Sequence, residues 1–181
     1  LITWNVRAMS AALLSCGLAT LVVRHAGIGD LVQYTMPQPP LYGSYQEFAI
    51  VLGAVIAIGV VLFDKTQSLL PKFDRKSPKM IVIALLSFAV IGVMAMYFPE
   101  ILGNGKAGNQ LTFTDLVGWD YALGLLATKW IAVLLALMAG AYGGRITPSM
   151  MLGSTLALAF AALWSIMVSP VHLGFAAFIG A

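Results

Sequence analysis

The sequence predicts an all-α, polytopic membrane fold in which some helices are broken or re-entrant. Of its 181 residues, 60% are hydrophobic and only 9% are charged, whereas soluble domains average about 25% charged residues. The apolar residues form runs of roughly 20, the length that a helix needs to cross a bilayer core. Glycines and prolines interrupt several of these runs, as in the broken helices of ion-binding transporters. The composition therefore indicates a polytopic membrane protein rather than a soluble globular domain.

The first part of the chain contains two predicted spans and a basic connection. The spans are residues 1–23 and 45–63, and prolines between them prevent a continuous helix there. After the second span the chain has an excess of positive charge, carried by Lys65, Lys72, Arg75, Lys76 and Lys79. Because cytoplasmic loops are enriched in lysine and arginine, we expect this segment to be cytoplasmic, with the second span running inward.

The remainder of the chain contains three further predicted spans, at residues 80–98, 121–138 and 149–168. Residues 112–117 are too few to cross and are predicted as a re-entrant or interfacial helix. A sixth apolar segment begins at Val171. We therefore expect about five to six transmembrane segments. Because both chain ends lie within apolar runs, we expect an incomplete transmembrane domain from a longer protein.

The bend between the fourth and fifth spans is the strongest candidate for a functional site. Small residues lead into Gly143-Gly144 and then into Arg145-Ile146-Thr147-Pro148. Thr147 is a favourable N-cap and Pro148 a favourable first helical residue, so we predict that the fifth helix begins at Pro148. Free N–H groups and the positive end of the helix dipole make such a helix start suitable for binding an anion.

Other kinds of functional site find little support. The single cysteine, Cys16, excludes an internal disulfide and a cysteine-based metal site, and His25 and His172 lie far apart. We expect no metal and no other cofactor. No pair of carboxylates and no Ser/His/Asp combination occurs at a spacing that would suit catalysis, so we do not expect an enzyme. Gly103-Asn104-Gly105-Lys106 departs from the phosphate-loop pattern and is predicted to be a turn. The net charge of +3 does not indicate nucleic-acid binding.

Three motifs resemble the CLC family of chloride channels and transporters. The segment from Gly140 to Ser149, followed by Leu152-Gly153, resembles the family's glycine-rich bend, its Gly-x-Phe-x-Pro motif and the helix lettered N. Phe98-Pro99-Glu100 with Gly103-Asn104-Gly105 resembles the turn between helices K and L. Lys129 resembles the basic residue that the family often carries in helix M. Their order and spacing agree over essentially the whole chain.

This resemblance implies a homodimeric membrane protein that transports chloride or a similar small anion, with one anion pathway in each subunit. It would be a channel or an anion/proton antiporter in the plasma or inner membrane. Residues 1–24 would end the first structural half of the fold, and residues 45–181 would form part of the second half. The residues on which the choice between channel and antiporter rests lie outside this sequence.

The resemblance also implies which groups bind the anion. The backbone N–H groups of Arg145 and Ile146 occupy the family's binding positions, and we expect the site to comprise the backbone of Gly144, Arg145, Ile146, Thr147 and Pro148. Ile146 replaces the usual phenylalanine, and Arg145 stands where an apolar residue is common. Backbone donation does not depend on either side chain.

Several alternatives stay open from the sequence. The bend could be a simple capping turn between packed helices. The protein could be a broken-helix transporter of other small anionic solutes, or a non-transporting membrane scaffold. Arg145 could face the pore, reach water or pair with a carboxylate. A charged lysine inside a membrane span, such as Lys129, is unfavourable unless it has a polar partner or contacts water. Lys129 could therefore attract anions or make a structural contact.

Overall fold

The described residues are all in helices or in their connections. The computed structural model describes residues 6–27, 34–35, 37, 45–71, 73, 77–114, 116–141 and 146–181. The chain divides into two units, Leu1–Gln33 and Tyr34–Ala181. The first unit contributes α1 (Val6–His25). The second contributes α2 (Tyr45–Ser68), α3 (Lys79–Ala95), a 3₁₀ helix (Pro99–Ile101), α4 (Lys106–Thr112), α5 (Trp119–Met138), α6 (Ile146–Met167) and α7 (Leu173–Gly180). The predicted all-α class is confirmed for these residues.

Three of the described helices, α2, α5 and α6, are long and apolar enough to cross a membrane. They correspond to the second, fourth and fifth predicted spans, although α2 continues past the predicted exit at Phe63 to Ser68. The apolar parts of α1 and α3 are shorter. Even so, the 17 residues of α3 reach the lower limit of roughly 17 residues for a crossing helix. The expectation of five to six spans stays a prediction.

The short helix before α5 lies earlier than the sequence predicts. We expected it at residues 112–117, whereas α4 ends at Thr112. Its start is set by Gly105, whose φ of 93° suits glycine. The side chain of Asn104 accepts a hydrogen bond from the N–H of Lys106 at 3.1 Å. The turn predicted at residues 103–106 is confirmed by the positive φ of Gly103 and Gly105.

The helix after the bend begins at Ile146 rather than at Pro148. The prediction that Thr147 caps this helix and that Pro148 opens it is therefore wrong by two positions. Both residues lie within the first turn. A proline is still compatible with this position, because the first four N–H groups of a helix have no partner within the helix.

The second unit is organised around α6, which packs against α2, α4, α5 and α7. Small residues allow the closest of these contacts. A Cβ added to Gly153 on α6 would lie 2.1 Å from the carbonyl oxygen of Gly180 on α7. Close approach of this kind is how helices associate in lipid, where burial of apolar side chains gives little gain. The packing fixes α6, and with it the start of the helix.

Candidate functional site

The break between α5 and α6 is built by a glycine that the sequence analysis did not single out. Gly140 has a φ of 79° and follows the last residues of α5. Its N–H donates to the carbonyl of Leu137, and the N–H of Ala141 donates to the carbonyl of Ala136, both at 3.0 Å. This is the Schellman arrangement that ends a helix at a left-handed residue. The chain is thus released from α5 shortly before α6 starts at Ile146.

The five residues of the predicted anion site fall into two groups. Gly144 and Arg145 lie outside the described residues. Ile146, Thr147 and Pro148 form the first turn of α6, where Ile146 is 77% exposed and the other two are half-buried. Pro148 has no N–H, so it cannot donate to an anion as the prediction of a backbone site required. The N–H groups of Ile146 and Thr147 lie in the first turn, where no residue of α6 itself accepts a hydrogen bond from them.

A cavity of about 680 Å³ lies beside this first turn. Residues of α2, α3, α5 and α6 line it, and Pro148 and Ser149 contribute the start of α6. The lining is mainly aliphatic, glycine and aromatic. Its two ionisable side chains are Asp64 on α2 and Lys129 on α5. A cavity of this size and composition is within the range of small-ligand sites.

Lys129 is buried, with only 2% of its surface exposed. Its Nζ donates to the carbonyl oxygen of Ile101 at 2.7 Å and to that of Gly103 at 3.2 Å. No carboxylate of the described residues forms an ion pair with it. Of the two predicted roles, the structural contact is therefore observed, but with backbone carbonyls in place of an acidic partner. Among the described residues Lys129 thus forms no ion pair, although Asp64 lines the same cavity.

The three motifs that are separate in the sequence meet in space. Lys129 on α5 holds the turn at Ile101 and Gly103. The same turn continues to Gly105, where an added Cβ would lie 3.0 Å from the Cβ of Met151 and 3.5 Å from the carbonyl oxygen of Thr147. The turn thus packs directly against the first turns of α6. These contacts give the start of α6 a defined place beside the cavity.

A buried polar contact near this site was missed by the sequence analysis. Asn109, Thr112 and Ser154 are fully buried and are linked by side-chain hydrogen bonds between α4 and α6. The available signal was the polar pair Ser154-Thr155 inside an apolar helix, because polar side chains within spans are usually paired. Among the described residues, no group of metal-ligating side chains is found.

Comparison with known proteins gives consistent matches. The family model described as voltage gated chloride channel matches residues 1–181. The H(+)/Cl(-) exchange transporter ClcA of Vibrio vulnificus (strain YJ016) is 27% identical over 192 residues, covering 98% of this chain and 39% of the relative. The protein of the same name from Vibrio parahaemolyticus is 26% identical over 183 residues, covering 94% of this chain and 38% of the relative.

The chain spans less than two fifths of the length of these relatives. A third, the H(+)/Cl(-) exchange transporter ClcA of Vibrio campbellii, is 25% identical over 88% of this chain and 35% of the relative. No solved structure gives a significant match.

Proposed function

The chain belongs to the voltage-gated chloride channel family, and on that basis we propose that the full-length protein carries chloride or a similar small anion across a membrane. The family consists of transport proteins rather than enzymes. The relatives of this chain that are named H(+)/Cl(-) exchange transporters favour coupled exchange of chloride for protons. Passive conduction is the second candidate, since the family is described as one of channels.

The observation that supports this function best is the position of the start of α6 beside the cavity. The helix contains 22 residues, so its backbone dipoles place a partial positive charge at its first turn. Pro148 and Ser149 line the cavity from that turn. Partial charges act more strongly beside an apolar lining than in water, because the local dielectric constant is lower. An anion that leaves its hydration shell would be stabilised there without being held too tightly to leave.

The proposed donors are backbone N–H groups. Ile146 and Thr147 supply two of them from the first turn of α6, and Gly144 and Arg145 would supply further groups just before it. Pro148 has no N–H to donate, so the donors would be limited to the face of the turn formed by the other residues. The side chain of Arg145 would add a fixed positive charge or reach water.

The buried Lys129 would add a longer-range attraction for anions. It lines the same cavity as the start of α6, and its ammonium group is bound only by carbonyl oxygens among the described residues. Asp64 lines the cavity as well, so the net charge of the lining does not by itself favour anions. The preference would come from the local field at the start of α6 and at Lys129.

The arrangement of the whole protein is proposed from family membership. We propose that the full-length protein is a homodimer in the plasma or inner membrane, with one anion pathway in each subunit. Residues 1–24 would complete the first structural half, and residues 45–181 would belong to the second half. The basic segment after α2 would face the cytoplasm.

The proposed function can be tested by reconstituting the full-length protein in liposomes and measuring chloride efflux and external pH together. Chloride efflux with proton movement in a fixed ratio is expected for an exchanger, whereas chloride efflux alone would establish a channel. If no anion moves under conditions in which a known family member transports, the proposal of anion transport is wrong.

Two variants of Ile146 test the proposed backbone donors in the same assay. Ile146→Pro removes one N–H at the first helical position, where proline is well tolerated, whereas Ile146→Ala keeps the N–H and removes most of the exposed side chain. A hydrogen bond to a charged group contributes about 1.5–3 kcal/mol, so chloride affinity should fall roughly 10- to 150-fold in Ile146→Pro only. Equal affinities in the two variants would argue against donation by this residue.

A further inference from the structure

Polar side chains are buried at the contact between α4 and α6. Asn109 and Thr112 on α4 and Ser154 on α6 have no exposed surface. The hydroxyl of Ser154 donates to Oδ1 of Asn109 at 2.9 Å and has the carbonyl of Met151 on its own helix as a second acceptor at 3.1 Å. The hydroxyl of Thr112 lies 3.0 Å from the carbonyl of Asn109 on its own helix and 3.2 Å from Oγ of Ser154. The two helices are therefore joined by directional bonds in a region that otherwise packs through apolar groups.

The amide nitrogen of Asn109 has no hydrogen-bond partner among the described residues. A buried donor without an acceptor is unfavourable, and an apolar side chain of similar size would avoid this penalty. Asn109 is therefore a poor choice for stability alone. What it provides is a specific partner for Ser154, and buried polar contacts of this kind favour one arrangement of packed elements over others.

A second contact, at Met151, lies beside the first. Met151 is fully buried, and it fits against two glycines of the α4 region. A Cβ added to Gly108 would lie 2.3 Å from Cε of Met151, and a Cβ added to Gly105 would lie 3.0 Å from Cβ of Met151. Because successive helical residues are rotated by about 100°, Met151 and Ser154 can face α4 together only at one rotation of α6. The α4 region thus fixes how α6 is turned about its own axis.

The N–H groups at the start of a helix point along its axis, and the rotation of α6 decides on which side of that axis each of them lies. Ile146 and Thr147 lie about two turns before Ser154 in the same uninterrupted helix. We propose that Asn109 is a positioning residue, which holds α6 so that these N–H groups face the anion and thereby influences which anions are transported. This inference rests on the proposed function, because it concerns the same site. Small shifts of the donors would change the preference between anions of different size and shape.

The test compares chloride and nitrate flux through the full-length protein in liposomes. Asn109→Leu removes the bond between Ser154 and Asn109, and Ser154→Ala removes this bond together with the one from Thr112. The ratio of chloride to nitrate flux is expected to change several-fold and in the same direction in both variants. The double variant should change it no more than the larger single effect, since the two residues act through one contact.

Thr155→Val is the matched control. Thr155 is also fully buried on α6, but the hydrogen bonds of its hydroxyl go only to carbonyls of its own helix, those of Met151 and Leu152, and none reaches α4 among the described residues. The flux ratio should be unchanged in this variant, even if the amount of folded protein falls.

A readout that needs no transport separates this inference from the proposed function. With the exposed Cys16 replaced, Ser149→Cys places a thiol beside the cavity at the start of α6, and the rate at which a charged thiol reagent modifies it reports the orientation of that turn. Combined with Asn109→Leu or Ser154→Ala, this rate should shift several-fold, and with Thr155→Val it should not.

The flux ratio and the modification rate together distinguish failure of the positioning role from failure of the proposed function. If both fluxes fall in proportion and the modification rate is unchanged in Asn109→Leu and Ser154→Ala, the positioning role is overturned. If the unmutated protein carries no anion, the proposed function fails, while the modification rates still decide whether Asn109 sets the orientation of α6. Should Asn109→Leu fail to fold, the smaller change Ser154→Ala gives the same decision.

Discussion

Lys129 illustrates what a single residue type reveals and what it leaves open. A lysine inside an apolar helix must find partners, because an unpaired charge in the bilayer is unfavourable. This much follows from the sequence. The sequence does not show that these partners are the carbonyls of Ile101 and Gly103. The two residues precede Lys129 by 28 and 26 positions, and their side chains give no indication of the contact. The contact depends on where the 3₁₀ helix ends.

Replacing Lys129 by methionine should destabilise the protein. The side chain keeps its approximate length, but the carbonyls of Ile101 and Gly103 lose their donor. Leaving buried polar groups unpaired costs about 1–3 kcal/mol, so the midpoint of thermal unfolding in detergent should fall by several degrees. Lys129→Arg keeps a charged donor and should lose less.

The same substitution at an exposed lysine provides the control. Lys65 on α2 is exposed, so Lys65→Met should leave the unfolding midpoint nearly unchanged. Equal midpoints for the two methionine variants would show that the contacts of Lys129 do not contribute to stability.

Pro148 shows how far the preference of a single residue predicts where a helix begins. Its preference for the first helical position predicts a helix start that is two residues later than Ile146, the observed one. Proline is compatible with any position in the first turn, so the local preference alone does not choose among them.

At the scale of elements, the contact between α6 and α7 depends on glycine. An added Cβ at Gly153 would meet the carbonyl oxygen of Gly180, and one at Gly180 would lie 2.3 Å from the Cβ of Ala157. Backbone atoms cannot move aside as a flexible side chain can, so the helices would have to separate. Gly153 and Gly180 also line the cavity that lies beside the start of α6.

Gly153→Ala should therefore destabilise the helix pair. Overpacking of a close contact typically costs 1–3 kcal/mol, and we expect a lower unfolding midpoint together with reduced flux. The change would be measured by thermal unfolding in detergent and by anion flux from liposomes.

Gly92→Ala on α3 is the matched control for this variant. A Cβ added to Gly92 meets nothing within 4 Å, and alanine is favoured over glycine in a helix by up to about 1 kcal/mol. Its midpoint should be unchanged or raised. A loss as large as that of Gly153→Ala would show that the destabilisation of Gly153→Ala does not come from its contact with α7.

At the scale of the whole molecule, the charge distribution predicts an orientation. The basic segment between α2 and α3 should face the cytoplasm, so α3 should run outward. In vesicles of known orientation, Ser77→Cys before α3 should be labelled only from the cytoplasmic side. Met96→Cys after α3, at a position that is 81% exposed, should be labelled only from the outside. Both variants require Cys16 to be replaced.

Permeabilised vesicles serve as the control for this experiment, because both cysteines should then react. Labelling of both positions from one side would show that α3 does not cross. Labelling in the reversed pattern would show that the positive segment does not determine the orientation.

The sequence alone determined the membrane fold class, the approximate positions of α2, α5 and α6, and the resemblance to the family. These conclusions depend on apolar run length, on helix-breaking residues and on local motifs, which are properties of neighbouring residues. The tertiary structure decided the partners of Lys129, the contact of Gly105 with the start of α6, and the buried bond between Asn109 and Ser154. Each of these joins residues that are distant in the chain. Their proximity follows from how whole helices pack, because the direction of a side chain is fixed only when the rotation of its helix is fixed.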